Sequence, residues 1–200
     1  MNRAATGEDD RSLIEAFIGG DARSFDRLVL AYKDRVFNVC YRLMGDYEEA
    51  NDCAQDTFIK VFRSLKRFRF EAAFSTWLYR IAVNTCKSRL SSRSYRHSVK
   101  MVRINGMSEG ERGVYEYSSH NPHANPGVRL ERKEREKRIQ WAINSLPHDQ
   151  KLVVVLRDVQ GLSYEEVSAA TGFNLGTVKS KLSRAREKLK DRLKDVVNDL

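Results

Sequence analysis

Thr177, Ser180, Ser183 and Arg184, with Lys179 and Lys181 at their flanks, share one side of any helix wound through them. That set of short hydroxyls and long cations suits nucleic-acid recognition. Small side chains let the backbone approach a groove, and a guanidinium is long enough to reach a guanine edge or a phosphate. On the other side Leu175, Val178, Leu182, Ala185 and Leu189 recur at i, i+3, i+7, i+10 and i+14, a stripe that must be buried. Between Leu175 and Lys194 eight Lys or Arg face only Glu187 and Asp191, so the outer face is cationic. A basic helix alone is equally well read as a solvated surface. What precedes it decides between the two readings.

The preceding residues are punctuated as a helix and a turn. Ser163 is placed to cap a helix, Glu166 to return a bond to the cap, and Leu162 and Val167 to occupy the two staple positions. Gly172 suits the left-handed backbone that ends a helix, and Asn174 then caps the next one. The product is a helix-turn-helix whose second helix carries the basic face, the arrangement that reads a major groove.

A second region combines cations with rings. Arg67, Phe68, Arg69 and Phe70, followed by Phe74, Trp77, Tyr79 and Arg80, interleave charge and aromatic surface. Rings stack on unpaired bases while Arg and Lys track their phosphates, which is the chemistry of single-strand binding. For Trp77 core packing is favoured over stacking, because a ring stripe at helical spacing usually serves the core. Asn84 and Lys87 continue the polar stripe from Arg80; Asn84 is able to read a base edge or to sit in solvent. Upstream, Asp46 to Asp56 holds five acids and no base, whereas Arg63 to Arg96 holds nine bases and one acid, so the two stretches suit different partners. Asp46, Glu48 and Glu49 have a local reason to be acidic, since carboxylates favour a helix N-terminus. Asp52, Gln55 and Asp56 lie beyond that first turn on a common face, fit to meet a basic protein surface.

The elements that position these groups are helices throughout. Leu13, Ile14, Phe17 and Ile18 mark a short helix stopped by Gly19 and Gly20. Asp21 caps a longer one that buries Phe25, Leu28, Val29, Tyr32, Val36, Phe37, Cys40 and Met44 and stops at Gly45. A capping box of Asp46 and Glu49 opens a third helix, to about Leu65, through inward-facing Ala50, Cys53, Ala54, Phe58, Val61 and Phe62, and Ser75 or Thr76 begins a fourth through Trp77, Leu78, Ile81, Ala82 and Leu90. From about Ser92 to Val128 the pattern dissolves into polar residues, a linker flexible or ordered on a partner. A further helix buries Ile139, Ala142, Ile143 and Leu146 and ends before Pro147; the next uses Leu152, Val155, Leu156 and Val159 up to Gly161. The expected architecture is all-α, with two small helical domains, 1–94 and 129–200, joined by the linker 95–128.

A formal net charge of +9 over 200 residues fits a partner rich in phosphates. No uninterrupted apolar run of about 18 residues is present, and the polar N-terminus lacks a signal-peptide core, which places the chain in the cytoplasm. Cys40, Cys53 and Cys86 sit within apolar helical patterns and read as buried free thiols rather than a metal or redox site. His120 and His123 have no thiol or carboxylate cluster near them in sequence. No phosphate-binding glycine loop, nucleophile elbow or zinc-protease motif occurs, so neither catalytic residues nor cofactors are expected.

Three stretches carry a resemblance to a known family: Asp52 to Arg63, Phe74 to Asn84 and Gly176 to Arg186. Together they resemble the extracytoplasmic-function RNA polymerase sigma factors, the RpoE-like group of the sigma-70 family. The resemblance implies a non-enzymatic subunit that makes core RNA polymerase specific for a set of promoters, in a stress or envelope response. It puts Asp52, Gln55 and Asp56 against the clamp helices of the beta-prime subunit, with the beta subunit as a further contact. It puts Arg69, Phe70, Phe74, Arg80, Asn84 and Lys87 at the minus-ten element, where the loop 69–75 traps a flipped base. Thr177, Lys179, Ser180, Lys181, Ser183 and Arg184 fall at the minus-thirty-five duplex. Promoter DNA and an anti-sigma factor are implied partners; a small-molecule substrate is not. At Phe70 and Glu71 the chain departs from the Gly-Asp of many relatives. The rival reading from the residues alone is a stand-alone helix-turn-helix regulator whose N-terminal helices sense a signal or dimerise.

Overall fold

The structure, a computed structural model, describes residues 5–92 and 126–194, with side chains placed for 10–92 and 134–194. Every regular element among them is helical. Nearly all of the expected linker, with His120 and His123, lies outside the described residues.

Caps set most of the helix limits. Helix α1 spans Ala5–Ile18. Asp21 accepts from the backbone N–H of Arg23 at 3.1 Å and from the Ser24 hydroxyl at 2.6 Å, opening α2, Ala22–Met44. Gly45 ends α2 at φ 77°, and its Cα faces the Asn144 side chain so closely that a Cβ there would lie 2.8 Å from the Asn144 amide nitrogen. Only glycine meets both demands. Asp46 accepts from Glu49 N–H at 2.9 Å and starts α3, Tyr47–Ser64. The expected box is half made, because the Glu49 carboxylate turns to Arg89 instead, at 2.6 Å. Helix α4 runs Phe74–Ser91, so Ser75 and Thr76 fall inside its first turn rather than at its cap. No side chain caps it, and the buried Thr76 hydroxyl has no hydrogen-bond partner.

The N-terminal core forms where the apolar faces of α2, α3 and α4 meet. Val36, Val39, Cys40, Ala50, Val61, Leu78, Ala82 and Val83 are fully buried there, and α1 covers one side with Leu13, Ile14 and Phe17. Cys40, Cys53 and Cys86, far apart in sequence, converge in this core as free thiols. A hydrogen bond to Cys86, with burial, pushes the Cys53 thiol well above the ordinary range, and a bond to Cys40, with burial, does the same for Cys86 against the opposing effect of the Cys53 bond. Neutral buried thiols of this kind pack as small hydrophobes.

In the C-terminal half, α5 spans Pro126–Asn144, starting three residues earlier than the expected domain boundary. Proline is well tolerated there, since the first turn of a helix leaves its N–H groups unbonded in any case. Helix α6, His148–Val154, widens into a π turn over Val155–Val159, where Gln160 N–H donates to Val155 O at 3.0 Å. The widening rotates Val159 outward to 39% exposure, against its expected place in the core. Helices α7, Tyr164–Thr171, and α8, Leu175–Arg192, form the helix-turn-helix. Its capping box is complete: Glu166 N–H donates to Ser163 Oγ at 3.1 Å, and Ser163 N–H donates to Glu166 Oε2 at 2.6 Å. Ser163→Ala removes one of these bonds and strands a helix-start donor. The expected result is a loss of about 1 kcal/mol in urea denaturation, with helix content unchanged.

Candidate nucleic-acid interface

Helix α8 is anchored through Val178, Leu182 and Ala185, all essentially fully buried, which turns the other face outward. Gly172 at φ 78° ends α7, and Asn174 Oδ1 accepts from Thr177 N–H at 2.7 Å to start α8. Lys179, Ser180, Ser183 and Arg184 are exposed, and neither Lys179 nor Arg184 has an ion pair among the described residues. Thr177 is half-buried at the helix start. Lys181 differs from the rest: its ammonium donates to Asp149 Oδ2 at 2.7 Å and lies 5.1 Å from the Phe173 ring centre. It holds α8 to α6. Leu175, expected in the buried stripe, is 41% exposed because it stands at the first turn, beyond the reach of α6.

The minus-ten set divides in a similar way. Arg80 and Asn84 are exposed on α4, and Lys87 is half-buried one turn beyond. Phe74 is 5% exposed and belongs to the core, its ring edge-on to Tyr32 at 5.3 Å. Phe68 joins the group, 4.9 Å from Phe70 and 5.0 Å from a half-buried Trp77, which agrees with core packing for that tryptophan. Arg69 is exposed beside Glu71 at 3.9 Å, a contact too open and long to hold the loop.

Phe70 stands at φ 57°, the left-handed region where a side chain is strained. The Arg11 guanidinium over its ring at 4.7 Å and the Phe68 edge offset that strain. Substitution here reverses the usual order of alanine and glycine. Phe70→Ala keeps the strain and loses the ring, whereas Phe70→Gly loses the ring but sheds strain on the order of 1 kcal/mol. Thermal denaturation is expected to rank the proteins wild type, Phe70→Gly, Phe70→Ala in falling stability.

Around these rings lies a cleft of about 890 Å³, lined by Asp10, Arg11, Arg35, Asn38 and the loop 70–75 on one side and by residues 159–162 and Glu166 on the other. Tyr32 at its floor donates to the Asp10 carboxylate at 2.5 Å. Burial first, and then this bond, raise the Tyr32 phenol far above its ordinary pKa, so it remains a donor at any physiological pH. Arg11 and Arg35 carry no sequence signal: Arg11 meets Phe70 only through folding, across 58 intervening positions.

On α3, Asp52, Gln55 and Asp56 share an exposed face as expected. Arg89 reaches across from α4 to both Glu49 and Asp52, each at 2.6 Å, so Asp52 is already part of an internal brace. The bond to Glu49 raises the Arg89 pKa further and keeps the brace charged. Ile59, 47% exposed, and Phe62, 50% exposed, continue the same face one and two turns on. Phe62 was expected inward; one ring edge does pack on Phe17 and Phe25, and the rest faces solvent.

Among the described residues no helix is long and apolar enough to cross a membrane. Two family descriptions match the chain, Sigma-70 region 2 over residues 28–96 and Sigma-70, region 4 over residues 136–189. It is 36% identical to the RNA polymerase sigma-H factor of Pseudomonas aeruginosa over 97% of this chain and 98% of that protein. It is 32% identical to the ECF RNA polymerase sigma-E factor of Haemophilus influenzae over 94% of this chain and 97% of that one. Two solved structures share the fold. One is CnrH in complex with the cytosolic domain of CnrY, with a TM-score of 0.62 at 22% identity, covering 94% of this chain and 98% of that one. The other is the sigma factor RpoE in complex with the anti-sigma factor NepR from Bartonella quintana, with a TM-score of 0.67 at 24% identity, covering 86% and 98%.

Proposed function

The chain belongs to the extracytoplasmic-function sigma factors of the sigma-70 family, and from that premise we propose how its residues divide the work of promoter recognition. As a sigma factor it binds core RNA polymerase and directs promoter-specific initiation, without enzymatic activity of its own. The observation that carries the division is the segregation of three surfaces on separate segments: acidic and apolar on the exposed face of α3, exposed Arg69, Arg80 and Asn84 beside half-buried rings around the start of α4, and hydroxyl and basic on the outer face of α8.

Gln55 and Asp56 dock on the clamp helices of the beta-prime subunit, and Ile59 and Phe62 extend that surface with apolar area. Asp52 contributes from within its brace to Arg89, where the acceptor is already aimed. Arg69, Phe70, Arg80, Asn84 and Lys87 engage the minus-ten strand, with Phe74 acting from beneath as support for the loop. Unstacking a base costs a few kcal/mol, which ring stacking and phosphate contacts offset. Lys179, Ser180, Ser183 and Arg184 meet the minus-thirty-five duplex. Thr177 serves the helix start, and Lys181 holds α8 in place while adding long-range charge. Joining two weak DNA contacts through one chain raises the effective concentration of the second once the first has formed.

The work is done in the cytoplasm, where the polymerase is, and serves an envelope or stress response, as the family resemblance implies. An anti-sigma protein is its regulator, in keeping with the complex in which the Bartonella quintana relative was solved. The stand-alone regulator reading loses its ground, since both halves of the chain match sigma regions. Run-off transcription from a genomic fragment pool with core polymerase tests the function. New start sites sharing an upstream motif are expected only when the protein is added; DNA binding without transcripts would reject it.

A further inference from the structure

Among the described residues no hydrogen bond holds the loop from Arg69 to Ala72, and α4 begins after it without a side-chain cap. Phe70 lies in the middle of that stretch at φ 57°, a left-handed backbone disfavoured on the order of 5- to 30-fold for a residue with a side chain. Ring contacts are what fix it. The Phe70 ring meets the edge of Phe68 at 4.9 Å, and Phe68 is itself set against Trp77 at 5.0 Å and Phe74 at 6.0 Å. Over the Phe70 ring lies the Arg11 guanidinium, 4.7 Å from its centre, and Arg11 has no ion pair among the described residues. Arg11 starts from a firm base. Its helix α1 packs on both the 3-10 turn Leu65–Arg67 and α4, Ile14 is fully buried, and the neighbouring Asp10 is bonded to Tyr32 of α2.

We propose that Arg11 is a positioning residue for minus-ten recognition: its contact with the Phe70 ring holds the loop 69–75 in the shape that traps the base. The proposal rests on the sigma reading above and adds to it a residue from α1, outside the strand-reading set. Many relatives have glycine where this chain has Phe70, and glycine takes a left-handed backbone without strain. A phenylalanine there needs a brace. An exposed cation–π contact shifts an equilibrium about two- to fivefold, which approaches what the left-handed backbone takes away. Without Arg11 the backbone at Phe70 relaxes toward the extended region and the ring leaves its seat on Phe68. Only the fraction of loops in the trapping shape is competent for the strand, so the apparent affinity falls with that fraction.

The test measures anisotropy of a labelled non-template oligonucleotide, its minus-ten sequence taken from a promoter recovered by run-off sequencing, on holoenzyme made with the full-length chain. Arg11→Ala is expected to weaken strand binding about two- to fivefold while leaving polymerase assembly and binding of the minus-thirty-five duplex unchanged. The deciding readout is a double-mutant cycle. In a Phe70→Gly background Arg11→Ala is expected to cost nothing further, since glycine holds the backbone unaided and offers no ring. Phe70→Leu, which keeps bulk but has no π face, gives the same cycle should the glycine variant misfold. An equal loss in both backgrounds, with a shallower dependence on salt, would make Arg11 a phosphate contact and overturn the brace. So would unchanged strand binding in Arg11→Ala, or a loss shared by polymerase assembly and the minus-thirty-five duplex, which marks general destabilisation. If the wild type yields no transcripts with core polymerase, it is the sigma reading that fails; a transcribing holoenzyme whose strand binding ignores Arg11 sinks only the brace.

Discussion

Arg184→Ala is expected to weaken binding to a minus-thirty-five duplex by roughly 5- to 150-fold, the equivalent of about 1–3 kcal/mol for a lost bidentate base contact, while leaving polymerase assembly intact. The reason lies in its position. Arg184 is exposed on the outer face of α8, opposite the buried Leu182 and Ala185, so truncation removes reach without disturbing the core. Fluorescence anisotropy with duplexes carrying single-base changes reads the loss, and relaxed discrimination at one position would identify the base that Arg184 contacts. Uniform weakening across sequences would reassign it to a phosphate. A variant that no longer binds core enzyme would contradict the assignment altogether. Lys181→Ala makes the control. Its ammonium is committed to Asp149 and to the Phe173 ring, so its loss acts first on the hold of α8 and only weakly on base discrimination.

The largest stability effect is expected from Leu78→Ala. Leu78 is fully buried in α4, which packs on α2 and α3 in the N-terminal core, so its truncation leaves a cavity there. The expected cost is about 2–5 kcal/mol, a large share of the 5–15 kcal/mol that typically holds a domain folded. Because α4 carries Arg89, which braces α3, loosening this helix also releases Glu49 and Asp52. Leu78→Ala is therefore expected to lose polymerase binding together with thermal stability, although Leu78 touches no partner. Ile59→Ala provides the contrast: half-exposed on the docking face, it should weaken polymerase binding with little change in the melting temperature.

Several features of this protein were decided by residues close together in sequence. The stops at Gly45 and Gly172, the cap at Asp21, the box of Ser163 and Glu166 and the start at Asn174 each involve groups within four positions of one another, and all are present as the sequence alone implies. The helical period likewise put Leu28, Tyr32, Val36, Leu78, Val178, Leu182 and Ala185 in the core, because a face repeating every three to four residues has to be covered by something. Those local rules, with three motifs in order, were enough to point to a sigma factor and to its two reading helices.

Tertiary structure decided the rest, because it sets which neighbour arrives first. Glu49 was placed to complete a cap, but Arg89 from another helix offered a charged donor and won the carboxylate. Lys181 looked like its neighbours Lys179 and Arg184 until Asp149 came within 2.7 Å of it. Leu175, Val159 and Phe62 followed the apolar period yet face solvent, since the period states what can be buried and not where a covering helix ends. Phe70 holds a left-handed backbone through rings and a guanidinium brought from elsewhere in the chain. The domain junction is the furthest case: Arg42 and Gln140 meet across 98 positions, a pairing no local pattern encodes, because only the packed surfaces of two finished domains bring them together.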